Sequence, residues 1–206
     1  ANNYGYKEFW IHYSGHGTQI NDNSGDELDG KDEVIIPVDY STNGVISDDL
    51  LHSTFVSKMP KNSNVTIIMD CCNSGTIFDL PYKYMNNGNA EKKKNNNSNI
   101  NSDIVMISGC KDKQLSNDAY DLDNQSKWRG AMTWALLKTF ENRETTNVTC
   151  LDLVLDMRRL IKNSGLINQT PQLSSSKPYK VNNMRFNSSN YTESDNVVVV
   201  DATLDN

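Results

Sequence analysis

Short apolar runs, separated by polar stretches and turn formers, recur along this chain of 206 residues. Runs of about five residues that are rich in β-branched side chains are typical of buried strands, because helices need longer segments. The pattern predicts strands over residues 9–13, 34–37, 65–69, 104–108 and 172–174. A further strand over residues 197–200 is expected at an edge of the sheet.

Helix signals lie between these runs. Ser47 is a good N-cap for a helix that reaches residue 58, and Thr149 begins a T-x-x-D capping pattern for one that reaches residue 162. Apolar residues recur at helical spacing over residues 130–142. Strands that alternate with helices predict an α/β fold with a mostly parallel sheet.

The length favours a single domain over residues 1–206. Within it, residues 86–102 are rich in Asn and Lys and are expected to form a disordered loop, and residues 187–196 resemble a polar linker. The chain opens almost directly on a strand that should lie inside a sheet. We therefore expect an N-terminally incomplete domain whose first strand and helix region is missing.

Composition narrows the classes of function. The net charge is −6 and the isoelectric point is near 5.0, so the basic face of a nucleic-acid-binding protein is not expected. No apolar run is long enough to cross a membrane. Four cysteines in a chain of this length are too few for a disulfide framework, which favours reduced thiols in the cytoplasm. Acidic clusters indicate a bound cation or a positively charged substrate.

Two stretches that follow predicted strands carry the residues of nucleophilic catalysis. "IHYSGHGTQ" holds His12 and His16, and "IIMDCCNSGT" holds Cys71 and Cys72. Small residues around His16 disfavour a helical zinc pair, and His12 is expected to be structural. His16 precedes Cys72 by 56 positions, from 16 to 72, and parallel neighbouring strands would bring both loops to one sheet edge. A thiol beside an imidazole is a nucleophilic arrangement, because the imidazolium stabilises the thiolate.

Neighbouring residues have more than one interpretation. Asp70 either caps the turn that follows it or lies at the base of a pocket for a Lys or Arg side chain. Cys71 and Cys72 could form a redox pair, but the chain lacks a C-x-x-C motif and a bridge between adjacent cysteines is strained. The acids before Gly30 do not have EF-hand spacing, so by themselves they are solvated loop residues.

Four segments, in order, carry a family resemblance: "HYSGHGTQ", "DELDGKDEVIIPVDY", "DCCNSGTIFDLPYKY" and "ISGCKDKQLSNDAY…GAMTWAL". Together they resemble type I metacaspases, the caspase-like cysteine peptidases of clan CD, family C14, over residues 9–176. The resemblance implies the caspase–haemoglobinase fold, in which a mostly parallel central sheet is flanked by helices in three α/β/α layers. It also implies a cysteine endopeptidase that cleaves after Arg or Lys.

The catalytic assignments follow from matching the motifs. By resemblance, His16 is the general base and Cys72 is the nucleophile, while Cys71 stands where many relatives have serine and is expected to be buried and inert. Backbone N–H groups of Gly17 and Cys72 are the implied oxyanion hole. The sequence departs from the family at Asn73, where histidine is usual, and this is not the catalytic histidine.

The resemblance also implies a specificity pocket and a cation site. Ser14 and Asp70 match the pocket residues that receive the basic side chain of the substrate. The implied calcium ligands are four aspartates: Asp32, Asp48, Asp49 and Asp79. Oxygen ligands from several loops suit Ca²⁺ as an activator, and no organic cofactor is expected.

The resemblance predicts a Ca²⁺-activated enzyme that processes itself and acts in programmed cell death. A basic-specific peptidase cleaves its own exposed lysines, and Lys127 is the favoured site, with Lys94 as an incidental one. The expected partners are peptides or proteins with Arg or Lys at the cleavage position, and we expect a monomer that binds neither nucleic acid nor membrane. The alternative is a catalytically impaired caspase-like module that binds partners in protein quality control or cell-death signalling.

Overall fold

The computed structural model of the chain describes residues 7–22, 25, 30–93, 100–109, 118–120, 128–143, 148–166, 169–186 and 199–201. The strands are β1 (Glu8–Ser14), β2 (Gly17–Asn21), β3 (Lys31–Ile35), β4 (Ile46–Ser47), β5 (Asn64–Asp70), β6 (Tyr82–Tyr84), β7 (Ala90–Lys92), β8 (Asp103–Ser108), β9 (Asp118–Tyr120), β10 (Trp128–Gly130), β11 (Gln172–Ser175) and β12 (Val199–Asp201). The helices are α1 (Tyr40–Asn43), α2 (Asp48–Thr54), α3 (Ala131–Asn142) and α4 (Cys150–Asn163), with a 3₁₀ turn over Val56–Lys58. No helix in these ranges is long and apolar enough to cross a membrane.

A central sheet has the strand order β1-β5-β8-β11-β6-β7-β12. Strands β1, β5 and β8 run parallel, and β11 joins β8 antiparallel. The other half of the sheet is mixed, because β6 and β7 form an antiparallel hairpin and β12 pairs parallel with β7. The expected mostly parallel centre is confirmed. A smaller antiparallel sheet, β2-β3-β4, lies beside it.

Side chains that alternate along the central strands build a core on each face of the sheet. On β5, Ile68 packs into the core that contains α3 and α4, whereas Ile67 and Met69 pack into the core next to α2. Full burial of an aliphatic side chain of this size stabilises the fold by roughly 1.5–3 kcal/mol. The apolar run therefore serves two layers at once, which gives the predicted three-layer α/β/α arrangement.

The predicted caps are confirmed. The Ser47 hydroxyl accepts a hydrogen bond from the backbone N–H of Leu50 at 3.2 Å, and the Thr149 hydroxyl accepts from that of Asp152 at 3.1 Å. Each bond satisfies one backbone donor that the first helical turn leaves without an intrahelical acceptor. These two bonds explain why α2 and α4 begin where they do.

The helix predicted to reach residue 58 instead ends at Thr54 and is followed by the 3₁₀ turn. The hydroxyls of Ser53 and Thr54 both donate to the carbonyl of Leu50 and so compete with helix propagation. Phe55 then leaves regular helical geometry, with φ −111° and ψ −66°. Local side-chain chemistry thus shortens this helix.

Part of the stretch expected to be disordered is a hairpin. Strand β7 pairs with β6, and Ala90 is fully buried. The Tyr84 side chain anchors the hairpin, since its hydroxyl lies 2.9 Å from Ser175 Oγ and accepts from the backbone N–H of Tyr179 at 2.7 Å. The polar composition conceals these two buried contacts. Residues 94–99, and the predicted linker over 187–196, lie outside the described residues.

Candidate active site

The pairing of β1 with β5 places the two stretches that carry His16 and Cys72 at one edge of the sheet. Ser14 and Asp70 are register partners, and the N–H of Gly15 donates to the carbonyl of Asp70 at 3.2 Å. His16 follows Ser14 by two residues, and Cys72 follows Asp70 by two residues. The expectation that parallel neighbours bring these loops together is therefore met by the register itself.

The two loops then touch. A Cβ atom placed on Gly17 would lie 2.4 Å from the carbonyl oxygen of Cys72 and 3.3 Å from the Cβ of Cys71. Real Cβ atoms do not approach that closely, so only glycine allows the strand that follows His16 to pack on the loop that carries the thiols. Glycine at position 17 therefore lets the loop that carries His16 lie against the loop that carries Cys72.

The two thiols differ in access. Cys71 is only 1% exposed, inside the core beside α2, whereas Cys72 is half-buried and His16 is exposed. A thiol buried among apolar side chains is chemically inert, while a partly exposed thiol is available to an electrophile. The geometry distinguishes Cys72 from Cys71 as the candidate nucleophile.

Tyr13 holds the histidine loop. Its hydroxyl donates to the carbonyl of His16 at 2.9 Å and also lies 3.2 Å from the carbonyl of Ile36. The backbone N–H of Ile36 donates in turn to the carbonyl of His16 at 3.0 Å. Burial raises the pKa of Tyr13, with the charge of Cys71 adding to the effect, so the hydroxyl keeps its proton for donation. Gly15 leaves room for the phenol, since a Cβ atom there would be 2.6 Å from the hydroxyl oxygen.

The loop after Cys72 is fixed by buried side chains. Ser74, fully buried, donates from its hydroxyl to the carbonyl of Cys71 at 2.8 Å, and the Gln172 amide donates to the carbonyl of Gly75 at 3.1 Å. Asn73 has φ +51°, in the left-handed region. Asparagine and histidine are both enriched there among non-glycine residues. The departure from histidine at this position therefore keeps the backbone conformation.

Glu33 is a contact that the sequence did not reveal. This buried residue, 2% exposed, accepts from the Gln19 amide at 2.8 Å and from the hydroxyl of Thr76, four residues beyond Cys72. Its backbone N–H donates to Asp48 at 2.8 Å. The available signal was an acid placed directly before the apolar run of β3, where one face of the strand must be buried.

Asp70 is 3% exposed and reaches the N-terminal end of α3. One carboxylate oxygen accepts from the backbone N–H of Thr133 at 2.8 Å, and Gly130 packs so closely that a Cβ atom would lie 2.1 Å from that oxygen. A negative charge at this position is also stabilised by the positive end of the helix dipole. The carboxylate therefore caps a distant helix, a contact that the sequence interpretation did not include, and its place in a substrate pocket stays a prediction. Ser14, its register partner, is exposed at the same edge.

The predicted calcium ligands differ in environment. Asp32 and Asp48 are buried, Asp49 is exposed, and Asp79 forms an ion pair with Lys93 at 2.8 Å. Burial raises the pKa of Asp48 to about 6, against hydrogen bonds from the N–H groups of Glu33 and Asp49, and the charges of Asp79 and Asp32 raise it further. In the described part of the chain, no three acidic, histidine or cysteine side chains form a group that could hold a metal ion.

The donor chemistry nevertheless suits a hard cation. Asp32, Asp48 and Asp79 offer only carboxylate oxygens, and their mutual repulsion at Asp48 is the kind that a bound cation relieves. Protein contacts already engage these carboxylates: Asp79 is paired with Lys93, and Asp48 accepts two backbone N–H groups. A cation here would therefore exchange with protein contacts.

The remaining candidate residues lie elsewhere or outside the described residues. His12, expected to be structural, is exposed on β1, with Nε2 3.5 Å from the hydroxyl of Thr133. Lys94 and Lys127 lie outside the described residues.

Similarity to known proteins extends over most of the chain. The caspase domain of the C14 peptidase family matches residues 7–182. An inactive metacaspase-4 from Trypanosoma brucei brucei is 34% identical over 182 residues, which cover 82% of this chain and 50% of the relative. Metacaspase-1 from Candida albicans is 33% identical over 226 residues, covering 84% and 49%. A solved structure of a Geobacter sulfurreducens protein has a TM-score of 0.55 and 26% identity, covering 82% of this chain and 66% of that one. The chain spans about half the length of the curated relatives it matches.

Proposed function

The chain belongs to the caspase domain family of cysteine peptidases, and from this premise we propose that it is a cysteine endopeptidase in which Cys72 is the nucleophile and His16 the general base. The observation that carries the proposal is the contact between the two loops. Gly15 is bonded to the carbonyl of Asp70, and Gly17 packs on the carbonyl of Cys72. An accessible thiol and an accessible imidazole therefore project from adjoining backbone.

The proposed reaction has two halves. In the first, the His16 imidazole accepts the Cys72 proton, the thiolate attacks the scissile carbonyl carbon, and the imidazolium gives its proton to the departing amine. In the second, water attacks the thioester while His16 accepts its proton, and the Cys72 sulfur leaves and is reprotonated. The sum is hydrolysis of one peptide bond, with no net change in the enzyme.

The carbonyl oxygen of the substrate becomes negatively charged in both halves. Backbone N–H groups of Gly17 and Cys72 are the proposed donors to it, and the rigid packing of these two residues supports that role. Donors held in place before the reaction stabilise developing charge most effectively, because they need not reorganise.

Cleavage after Arg or Lys is proposed from Asp70 and Ser14. Asp70 is a buried carboxylate two residues before the nucleophile, and Ser14 is its register partner. A buried carboxylate attracts a guanidinium or an ammonium group strongly and rejects an acidic side chain. Peptide and protein substrates with a basic residue at the cleavage position are therefore the proposed partners. A monomeric enzyme is proposed from the family resemblance.

Activation by Ca²⁺ is proposed from the acidic side chains around Asp48. Bound there, the cation would supply positive charge that offsets the repulsion between Asp32, Asp48 and Asp79, with Asp49 as a fourth oxygen donor. Loop-borne carboxylate sites of this kind bind Ca²⁺ in the range of about 10⁻⁴ to 10⁻³ M. Calorimetric titration of the Cys72→Ala protein should detect binding in that range, and Asp48→Ala should abolish it. Heat of binding that is equal in both proteins would contradict the site.

Self-processing is proposed at Lys127, with Lys94 as an incidental site, because a basic-specific peptidase cleaves its own accessible lysines. Mass spectrometry after incubation with Ca²⁺ should find new termini after Lys127 in the wild type and none in Cys72→Ala. The same fragments in Cys72→Ala would identify a contaminating protease. A cytoplasmic setting is proposed from the small number of cysteines, and a part in programmed cell death from the resemblance.

A second candidate function is a caspase-like module that binds partners without hydrolysis. One observation favours it: a relative that is 34% identical over 82% of this chain bears the name inactive metacaspase-4. This chain retains both His16 and Cys72 in contacting loops. The residues present therefore support hydrolysis over binding alone.

Covalent labelling separates the two functions. An arginyl chloromethyl ketone should alkylate Cys72 in the wild type and should leave the Cys72→Ala protein unlabelled, with the modified peptide identified by mass spectrometry. Buried Cys71 and Cys150 should stay unmodified, since burial raises the pKa of Cys150 to about 12. Wild-type protein that neither labels nor hydrolyses basic peptides would overturn the peptidase proposal and favour the binding module.

A further inference from the structure

Glu33 touches three separate parts of the fold from one buried position in β3. One oxygen of its carboxylate accepts from Gln19 on β2, the strand that follows His16, and the other accepts from the hydroxyl of Thr76 in the loop that follows Cys72. Gln19 and Glu33 are also direct register partners in the antiparallel pair. A single carboxylate thus ties the histidine side of the site to the cysteine side.

The position of Glu33 is itself constrained. Its backbone N–H donates to a carboxylate oxygen of Asp48, at the start of α2, at 2.8 Å. Asp48 is 2% exposed, so the bond lies in the interior. Hydrogen bonds to ionised acceptors are roughly twice as strong as those between neutral groups, and a buried carboxylate held by several donors has little freedom to move.

On the basis of the proposed function, we infer that Glu33 is a positioning residue, which holds the Cys72 loop against the His16 strand through its hydrogen bond to Thr76. The bond is placed where a small error matters, because Thr76 is four residues beyond the nucleophile and the Cys72 loop packs directly on Gly17. A displacement of about 1 Å between reacting groups lowers rates by about a hundredfold. Glu33 touches no reacting atom and acts only through the loop.

Thr76 offers a cleaner test than Glu33, since removal of the buried carboxylate would also break its hydrogen bond to Gln19. Thr76→Val keeps the shape and removes the hydroxyl, whereas Thr76→Ser keeps the hydroxyl. Thr139→Val is the control for loss of a threonine hydroxyl, because Thr139 is buried and its hydroxyl donates within α3, to the carbonyl of Ala135 at 2.8 Å, whereas Thr76 is half-buried. All three are compared with the wild type as the folded 206-residue chain.

Two measurements are made on each protein: kcat and KM on a basic peptide, and the rate of Cys72 alkylation by iodoacetamide. We expect Thr76→Val to lower kcat and the alkylation rate by about tenfold or more with little change in KM, Thr76→Ser to restore both, and Thr139→Val to lower only the thermal midpoint. Equal kcat and alkylation rates in Thr76→Val and the wild type would overturn the positioning role. A loss in Thr76→Val that Thr76→Ser does not restore would overturn it as well.

The two measurements also separate this role from the proposed function. A wild type that alkylates at Cys72 but hydrolyses no peptide contradicts the peptidase alone, and the comparison of alkylation rates between Thr76→Val and Thr76→Ser still decides the role of Glu33.

Discussion

Gly17 lies against the carbonyl oxygen of Cys72 with no room for a side chain, since a Cβ atom on the glycine would be 2.4 Å from that oxygen. The obstacle is backbone, which cannot rotate away as a flexible side chain would. This contact sets the spacing between the loop that carries the imidazole and the loop that carries the thiol.

Gly17→Ala should therefore disable the site while the protein stays folded. The methyl group forces the loops apart, and we expect kcat/KM on a basic peptide to fall by about a hundredfold or more. Gly44→Ala is the control, because Gly44 has open space around it and a φ of +80°, so alanine there costs stability without touching the site. Comparable activity in Gly17→Ala and Gly44→Ala would show that the loop contact does not govern catalysis.

The adjacent cysteines should separate cleanly. Cys72→Ala should abolish peptide hydrolysis, because it removes the accessible thiol, whereas Cys71→Ser should keep most of it. Serine at the buried position should instead lower the thermal midpoint, since its hydroxyl enters an apolar core. Hydrolysis and midpoint are measured on both purified proteins, and equal loss of activity from the two changes would contradict the assignment.

Asp70→Asn isolates charge from helix capping. The asparagine carbonyl can still accept from the N–H of Thr133, so α3 keeps its anchor, but the negative charge is lost. We expect kcat/KM on Arg and Lys peptides to fall by more than about tenfold, with a small loss of stability. A fluorogenic peptide panel measures this. Unchanged activity on basic peptides, or a wild type that prefers Asp at the cleavage position, would remove Asp70 from the pocket.

Tyr13→Phe should loosen the histidine loop. The change removes one hydrogen bond to the carbonyl of His16, a net contribution of about 1 kcal/mol, and frees the loop that carries the imidazole. We expect kcat to fall about fivefold to tenfold with KM nearly unchanged. Tyr40→Phe, at an exposed tyrosine outside the site, should behave as wild type. If the two variants have the same kcat, the phenol has no part in holding His16.

Asp48 should contribute more to the free energy of unfolding at acidic pH than at neutral pH, the reverse of the usual direction for an aspartate. Its pKa of about 6 in the folded protein is above the value of about 4 for an unfolded aspartate, so the folded state binds the proton more tightly. The stabilisation is full below about pH 4 and is lost as the pH rises through about 6.

Denaturant unfolding at pH 4.5 and at pH 7, without added Ca²⁺, measures this contribution. Relative to Asp48→Ala, the wild type should lose part of its stability advantage between the two pH values. An advantage that grows with pH would show that the folded pKa of Asp48 is lowered.

The strands of the central sheet were predictable because burial leaves a mark on composition. The run before Cys71 had to be a strand, since its residues alternate between two cores and each core needs apolar side chains. The caps at Ser47 and Thr149 were predictable for a different reason: the bonding atoms lie within three residues of one another. Both kinds of signal are local.

Contacts between residues far apart in the sequence leave no comparable signal in the composition. The short strands β2, β6 and β7 are polar or exposed along much of their length, and pairing with neighbours defines them. In the sequence, Glu33 looks like the other acids near it, and only the fold brings Gln19, Thr76 and Asp48 next to it. The same holds for Asp70, whose helix partner at Thr133 is 63 positions away.

The register between β1 and β5 also constrains how the chain acquires activity as it folds. His16 and Cys72 are 56 positions apart along the chain, and the loops that carry them come together when Ser14 stands opposite Asp70. Closing a loop of that length costs entropy before any contact offsets it, so we expect this pairing to form late in folding. A partly folded chain keeps the proposed base and nucleophile apart, so the proposed activity would arrive together with the finished sheet.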